Sequence, residues 1–184
     1  DGGVWTQLSG VNCDAVIAAN TDGDADAELV GDFGQTGLWL WNSGAWTQLS
    51  GVNVEQAAAL NIDGGGDEII GDFGTVGLWL YGGGVWTQLS GVNSEFVLGA
   101  NIEGTAGDEV IGDFGALGLW RWMGSWAQIS TFSTELVAAA DIDGSGLSVK
   151  MTGYIRLMGK MEHYLIASQI QSFALAFLVV TEGS

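Results

Sequence analysis

Short apolar runs alternate with clusters of Gly, Asn and Asp along most of the chain. In its first part the runs are AVIAAN, AELVGDF, GLWLW and AWTQLS, at residues 15–20, 27–33, 37–41 and 45–50. Small, β-branched and aromatic residues fill these runs and turn-forming residues separate them, which is the pattern of short strands. Before residue 147 no periodic segment is long enough for an ordinary helix. The chain is therefore predicted to be all-β.

The strand pattern repeats along the chain. The phrase WTQLSGVN begins at Trp5, Trp46 and Trp86, and a degenerate copy begins at Trp126, so the copies lie 41, 40 and 40 residues apart. A GDFG phrase and a Leu-Trp pair recur once in each interval. Four strands in about 40 residues are typical of one blade of a β-propeller.

The bounds of the repeats predict an incomplete ring. Three full blades are predicted at residues 14–50, 54–90 and 94–130, with an orphan strand at 4–9 and a partial blade at 135–146. Closed propellers typically have about four to eight blades. The orphan strand could complete the last blade within the chain, or a second chain could supply the missing part in a homodimer.

Residues 147–184 depart from the repeat. They hold three of the chain's four basic residues and none of its nine Trp. This break in composition indicates a fusion, the end of an unrelated domain, or a frameshifted repeat, and we expect the segment to complete the last blade or to mediate assembly. Its apolar stretch contains Ser168, Gln169, Gln171 and Ser172, so we do not expect it to span a membrane.

The net charge of −18 narrows the choice of partners. Nucleic acids and anionic membranes are disfavoured, because both attract Lys and Arg. The charge suits cations, neutral ligands and basic proteins. The only cysteine is Cys13, so no intrachain disulfide can form. The sequence contains no nucleophile–base pair, phosphate loop or zinc pattern, and we predict that the protein is not an enzyme.

The loop that follows the first strand of each unit is rich in side-chain oxygens. In the first unit they fall at alternate positions, namely Asn20, Asp22, Asp24, Asp26 (through its backbone carbonyl) and Glu28. The third unit has the same spacing with fewer charges, at Asn101, Glu103, Thr105, Gly107 (backbone) and Glu109. The second loop is one residue shorter and offers Asn61, Asp63 and Glu68.

Residues 1–146 resemble the FG-GAP repeat, an integrin-like or VCBS-type propeller repeat. The likeness rests on NTDGDADAEL at residues 20–29, which is similar to the family's loop D-x-D-x-D-G-x-x-D, on the position of that loop, and on the repeat length. The order of the glycines differs. The resemblance implies a calcium-binding propeller that is secreted or held at the cell surface. There it would act as an adhesion or binding module for a protein or glycan ligand.

The chemistry of the loops is consistent with calcium. Calcium takes about six to eight oxygen ligands, and its affinity rises with their charge. Close carboxylates without a cation repel one another. We therefore rank the first loop ahead of the third. For the second loop we favour a metal-free turn, because Asp-Gly steps such as 63–64 form turns without any ion.

The repeated Trp residues support an alternative function. Trp46, Trp86 and Trp126 occupy equivalent positions, and aromatic faces can stack on sugar rings, so a carbohydrate-binding lectin is the second hypothesis. Packing between blades is the favoured role of most of these rings. A purely structural repeat fragment is the third hypothesis.

The DFG triplets do not indicate a kinase, because no His-Arg-Asp loop accompanies them and they occur three times. Instead, Asp32, Asp72 and Asp113 are predicted to end a strand and to bond turn amides or a Trp N–H. The phenylalanines that follow them are predicted to pack between blades.

Overall fold

The computed structural model describes residues 3–134, and these form twelve strands. The strands are β1 Ala15–Ala19, β2 Glu28–Asp32, β3 Leu38–Asn42, β4 Ala45–Ser50, β5 Gln56–Leu60, β6 Glu68–Asp72, β7 Leu78–Gly82, β8 Val85–Ser90, β9 Phe96–Ala100, β10 Glu109–Asp113, β11 Leu119–Trp122 and β12 Trp126–Ser130. Each set of four consecutive strands makes one antiparallel sheet in chain order. The all-β prediction is confirmed, with three four-stranded sheets.

One short 3-10 turn interrupts each unit between its second and third strands. The turns are Gly34–Thr36, Gly74–Val76 and Gly115–Leu117. The glycine after each turn has a positive φ, and at Gly37 a Cβ would collide with the backbone oxygen of Ser50. Only glycine fits there, so the turn holds the third strand against the end of the fourth.

The glycine of each GDFG phrase makes room for two aromatic rings. A Cβ at Gly31 would lie 2.8 Å from the Phe33 ring and 3.2 Å from the Trp46 ring. Gly71 and Gly112 have the same surroundings in the other two sheets. Phe33 and Trp46 then meet edge to face, with ring centroids 5.1 Å apart. The repeated phrase thus encodes an aromatic contact within each sheet.

The hydrophobic core lies where neighbouring sheets meet. A first cluster joins the first and second sheets through Ala19, Val30, Leu38, Val54, Ile69 and Phe73. A second cluster joins the second and third sheets through Ala58, Leu60, Ile70, Leu78, Val97 and Val110. The first strands of the three sheets lie side by side, because β5 contacts both β1 and β9.

The ring predicted from the sequence is not complete in the described residues. Residues 4–9, predicted as an orphan strand, do not pair into any sheet of the described part of the chain. Residues 3–134 do not close a ring. The predicted partial blade at 135–146 and the segment 147–184 lie outside the described residues. Among residues 3–134, no helix has the length and apolar character to cross a membrane.

Candidate metal centre

The loop between β1 and β2, residues 20–28, brings three carboxylates together. One oxygen from each of Asp22, Asp24 and Glu28 lies within 4.8 Å of the others, and this is the one such group found within residues 3–134. Asp22 and Asp24 are exposed, whereas Glu28 is only 4 % exposed. Glu28 opens β2 opposite Ala19, and its carboxylate bonds to Thr21 in the loop. The group is therefore a cluster of three carboxylates, of which two are exposed to solvent and one is buried.

Backbone amides shape this first loop around its acids. Asp24 Oδ1 accepts a hydrogen bond from the Asp26 amide at 2.7 Å, and Asp22 Oδ1 accepts one from the Asp24 amide at 3.2 Å. Glu28 Oε2 accepts bonds from the amide and hydroxyl of Thr21 at 2.7 and 2.9 Å. Asp24 and Glu28 thus use one oxygen each for the fold, whereas Asp22 uses both, because its Oδ2 accepts the Asn42 side-chain amide at 3.0 Å. Within the described residues, Asp24 Oδ2 and Glu28 Oε1 accept no hydrogen bond.

Two of the predicted ligands in the first loop serve the turn. Asn20 accepts the Gly23 amide through Oδ1 and donates to the Asp24 carbonyl through Nδ2, both at 2.7 Å. Asp26 donates its backbone amide to Asp24 Oδ1, and its carbonyl as a ligand stays a prediction. The loop therefore combines an Asn-braced turn with three convergent carboxylates, and this oxygen-only donor set fits a hard divalent cation.

The second loop, residues 61–68, keeps the turn and loses an acid. Asn61 bonds the Gly64 amide and the Gly65 carbonyl as Asn20 does in the first loop. Gly65 stands where the first loop has Asp24. Burial raises the pKa of Glu68, and the neighbouring Asp63 and Asp67 carboxylates raise it further, although the amide of Ile62 acts in the opposite direction. This loop follows the metal-free turn alternative most closely.

The third loop, residues 101–109, satisfies its oxygens differently. Glu109 is fully buried, and its two oxygens accept bonds from the Ile102 amide at 2.8 Å and the Thr105 hydroxyl at 3.2 Å. Glu103 forms an ion pair with Arg121, with 2.8 Å between Oε1 and Nε. Asn101 Oδ1 is buried and has no hydrogen-bond partner within the described chain. The backbone of Gly107 packs against the Ile62 carbonyl of the second loop.

Two acids that the sequence analysis did not single out connect the loops. The Asp67 carboxylate accepts the Asn20 amide at 2.9 Å, and the Asp67 amide donates to the Asn20 carbonyl. Asp108 and Asn61 repeat this pair of bonds, again with a 2.9 Å contact to the carboxylate. Each acid directly precedes the glutamate of its loop, and the equivalent position in the first unit is Ala27. We call this pair of bonds the asparagine–aspartate clasp, and the Asp-Glu step is its signal in the sequence.

The indoles proposed as sugar-binding faces make packing contacts and hydrogen bonds within the protein. Trp86 and Trp126 donate their ring N–H to the carbonyls of Leu49 and Leu89 in the preceding sheet, both at 2.8 Å. Trp46 makes the same bond, at 2.9 Å, to the Leu8 carbonyl in the segment before the first sheet. All three rings are half-buried and pack edge to face on the phenylalanine of their own unit. These contacts favour the packing alternative over a sugar site.

The DFG aspartates cap the turns that follow them. Oδ1 of Asp32, Asp72 and Asp113 accepts the amide two residues later, at 2.9 to 3.0 Å. None of them accepts a Trp N–H in the described chain, because those protons go to backbone carbonyls. Burial raises the pKa of Asp32 and of Asp72. The predicted bonds to turn amides are present. Phe73 and Phe114 pack where neighbouring sheets meet.

Comparison with known proteins adds no assignment: no protein-family model, no curated protein and no solved structure matches this chain.

Proposed function

We propose that this chain is part of a calcium-stabilised β-propeller that serves as an extracellular or cell-surface binding module. The observation that carries the proposal is the convergence of Asp22, Asp24 and Glu28 within 4.8 Å. Three carboxylates at such distances repel one another, and the cost is greatest for the buried Glu28. A bound divalent cation offsets that repulsion and uses oxygens that the fold leaves unbonded.

Calcium fits this site better than other common metals. Two of the donors are carboxylates exposed on a loop and the third is buried, and calcium accepts irregular sets of oxygen ligands. Magnesium requires a near-ideal octahedron and keeps much of its water, while zinc prefers nitrogen and sulfur. Because the clasp between Asn20 and Asp67 joins the first loop to the second, order in the first loop also restrains its neighbour.

The propeller itself is proposed from the way successive units contact one another. The first strands of the three sheets lie side by side, as inner strands do in a propeller. The Trp46 bond to Leu8 repeats the Trp86 bond to Leu49, and Leu8 and Leu49 hold the same place in the WTQLS phrase. Residues 4–9 therefore take the position of the outermost strand of a further blade. The remaining chain or a second copy would complete that blade.

The biological role follows as a binding proposal. A net charge of −18 suits a basic or neutral partner, such as a protein or glycan at a cell surface. In this proposal the repeated sheets form a rigid scaffold, and calcium holds the loops at one edge of it.

Calcium binding is tested by thermal unfolding of the full chain in excess EGTA and in millimolar calcium. At a calcium concentration about 100-fold above Kd we expect about 2.7 kcal/mol of stabilisation, or a rise in Tm of roughly 5–10 °C. Asp24→Asn should remove most of that rise, since it deletes a charged ligand but keeps the acceptor for the Asp26 amide. Magnesium should produce a smaller shift.

Asp63→Asn is the matched control, because Asp63 accepts the same kind of turn amide, from Gly65, in the second loop. It should leave the calcium response intact. A wild-type Tm that is the same in EGTA and calcium, or an equal loss in the two variants, would contradict a site in the first loop.

A further inference from the structure

The third acidic loop has a basic side chain, that of Arg121, as a partner. Arg121 is the only Lys or Arg in residues 1–146. It lies on β11 opposite Ile111, the register position that Leu40 and Leu80 occupy in the other two sheets. Its Nε lies 2.8 Å from Glu103 Oε1, and the two side chains are 26 % and 37 % exposed. A single basic residue in a strongly acidic region thus faces the loop with which it forms a pair.

The other side-chain oxygens of the third loop also differ from those of the first loop, and the differences leave less negative charge without a partner. Thr105 replaces the Asp24 of the first loop and adds no charge, and its one hydroxyl proton is shared between Glu109 Oε1 and the Gly107 carbonyl, both at 3.2 Å. The second oxygen of Glu109 accepts the Ile102 amide. One acid is therefore neutralised by a guanidinium, and the other is satisfied by two hydrogen-bond donors. In the first loop, by contrast, Asp22 accepts bonds only from neutral donors within the described residues, namely the Asp24 backbone amide at 3.2 Å and the Asn42 side-chain amide at 3.0 Å.

We propose that Arg121 takes the place of a metal ion in the third loop, so that this loop folds without calcium while the first loop depends on it. The inference rests on the proposed calcium function and adds a rule for selectivity among the repeats. A guanidinium beside Glu103 repels a second cation and occupies one of its oxygens. Removing it would leave Glu103 without its charged partner, in a loop that also holds the buried Asn101 Oδ1, which has no hydrogen-bond partner within the described chain. Carboxylate and amide oxygens are both of the type that calcium binds.

The test compares the Tm of four full-length proteins in EGTA and in calcium: wild type, Glu103→Gln, Arg121→Leu and the double variant. Leucine is the chain's own residue at the two equivalent positions, which limits any packing defect. In wild type, Glu103→Gln should leave the calcium-induced rise in Tm unchanged. Arg121→Leu should lower Tm in EGTA by about 1–3 °C, as expected for a partly exposed ion pair. Arg121→Leu should also show an additional calcium-induced rise in Tm, which the double variant lacks.

Arg121→Lys provides the conservative control, because it keeps the positive charge and should show no additional calcium response. Two results would overturn the inference. One is a wild-type calcium response that falls when Glu103 is changed, since calcium would then be bound beside Arg121. The other is an Arg121→Leu protein that gains no calcium response dependent on Glu103.

The proposed function and this inference fail in different ways. If the first loop does not bind calcium, wild type shows no calcium shift, and Asp24→Asn changes nothing. The Arg121→Leu measurement still decides the inference in that case. A shift that appears only in Arg121→Leu and vanishes in the double variant supports the role of Arg121, and no shift in either overturns it.

Discussion

The junction between the first and second sheets and the junction between the second and third sheets share a backbone design but differ in one polar contact. At the second junction, Asp72 accepts the hydroxyl and the amide of Ser94 from the next unit. At the first junction the position equivalent to Ser94 is Val54, and Asp32 bonds only its own turn amide, that of Gly34. Thr134 supplies the hydroxyl to Asp113 in the same way that Ser94 does for Asp72.

This difference separates two sources of cohesion. Both junctions have an apolar cluster and an asparagine–aspartate clasp. Only the second adds a hydroxyl to a buried carboxylate. A buried acid with few donors is costly, and each additional donor offsets part of that cost. The first junction therefore depends more on apolar packing, and the second gains polar specificity.

The largest effect is expected from the apolar clusters. Ile69 and Ile70 are adjacent on β6, both fully buried, and they belong to the first and second clusters respectively. Each change to alanine should cost about 2–5 kcal/mol of unfolding free energy, because it removes buried methylenes and leaves a cavity. Urea denaturation measures both. Val85→Ala is the control: Val85 is 64 % exposed, and the change should stay within about 0.5 kcal/mol.

A cost for Ile69→Ala close to that of the exposed control would contradict an apolar first junction. It would leave the clasp between Asn20 and Asp67 as the main link between these sheets.

Much of this architecture could be predicted from the repeated sequence. The alternating runs and the 40-residue spacing indicated four short strands per unit, and DFG indicated a strand end followed by a turn. Local periodicity carries that information, because successive residues of a strand face opposite sides. The convergence of Asp22, Asp24 and Glu28 was predictable in part from their alternate spacing in one short loop, although the Asp26 side chain has the same spacing and lies outside the group.

Contacts between positions distant in the sequence, within a unit or between units, were harder to predict. Asp67 and Asp108 clasp the preceding loop, and Arg121 reaches Glu103 from β11; both contacts join positions far apart in the sequence. A repeat pattern describes what the units share, and here the informative residues are those where one unit departs from the others. Arg121 in place of leucine, and Val54 in place of a hydroxyl residue, were visible departures whose partners only the fold identifies.

The second prediction removes the polar contact from the better-bonded junction. Ser94→Ala deletes the hydroxyl donated to Asp72, and these residues are 5 % and 1 % exposed. We expect a loss of about 1.5–3 kcal/mol at neutral pH, since the bond is charge-assisted and its loss leaves a buried carboxylate less satisfied. Asp72→Asn combined with Ser94→Ala should cost less than the sum of the two single changes. Additive costs in this double-mutant cycle would argue against a direct contact.

The smallest and most specific prediction transfers that contact to the first junction. Val54→Thr introduces a hydroxyl where Thr134 already donates to the equivalent aspartate of the third unit. The new bond should add about 0.5–1 kcal/mol at neutral pH, because it stabilises the ionised Asp32. Val54→Ala is the control, since it removes apolar volume from the first cluster without adding a donor, and it should destabilise the protein.

The pH dependence of this gain is the sharper test. In wild type, burial raises the pKa of Asp32 above its ordinary value, with the nearby Asp14 carboxylate adding a smaller contribution in the same direction. The folded state therefore holds the Asp32 proton more tightly than the unfolded state does. The stability contributed by that proton is fully present below the ordinary pKa and is lost as pH rises through the raised value. The hydroxyl introduced by Val54→Thr should lower the pKa of Asp32, so the advantage of this variant over wild type should be largest at neutral pH and should shrink on acidification. Urea denaturation from neutral pH down to about pH 4, near the ordinary pKa of an aspartate, measures it. A gain independent of pH would mean that the hydroxyl does not reach Asp32.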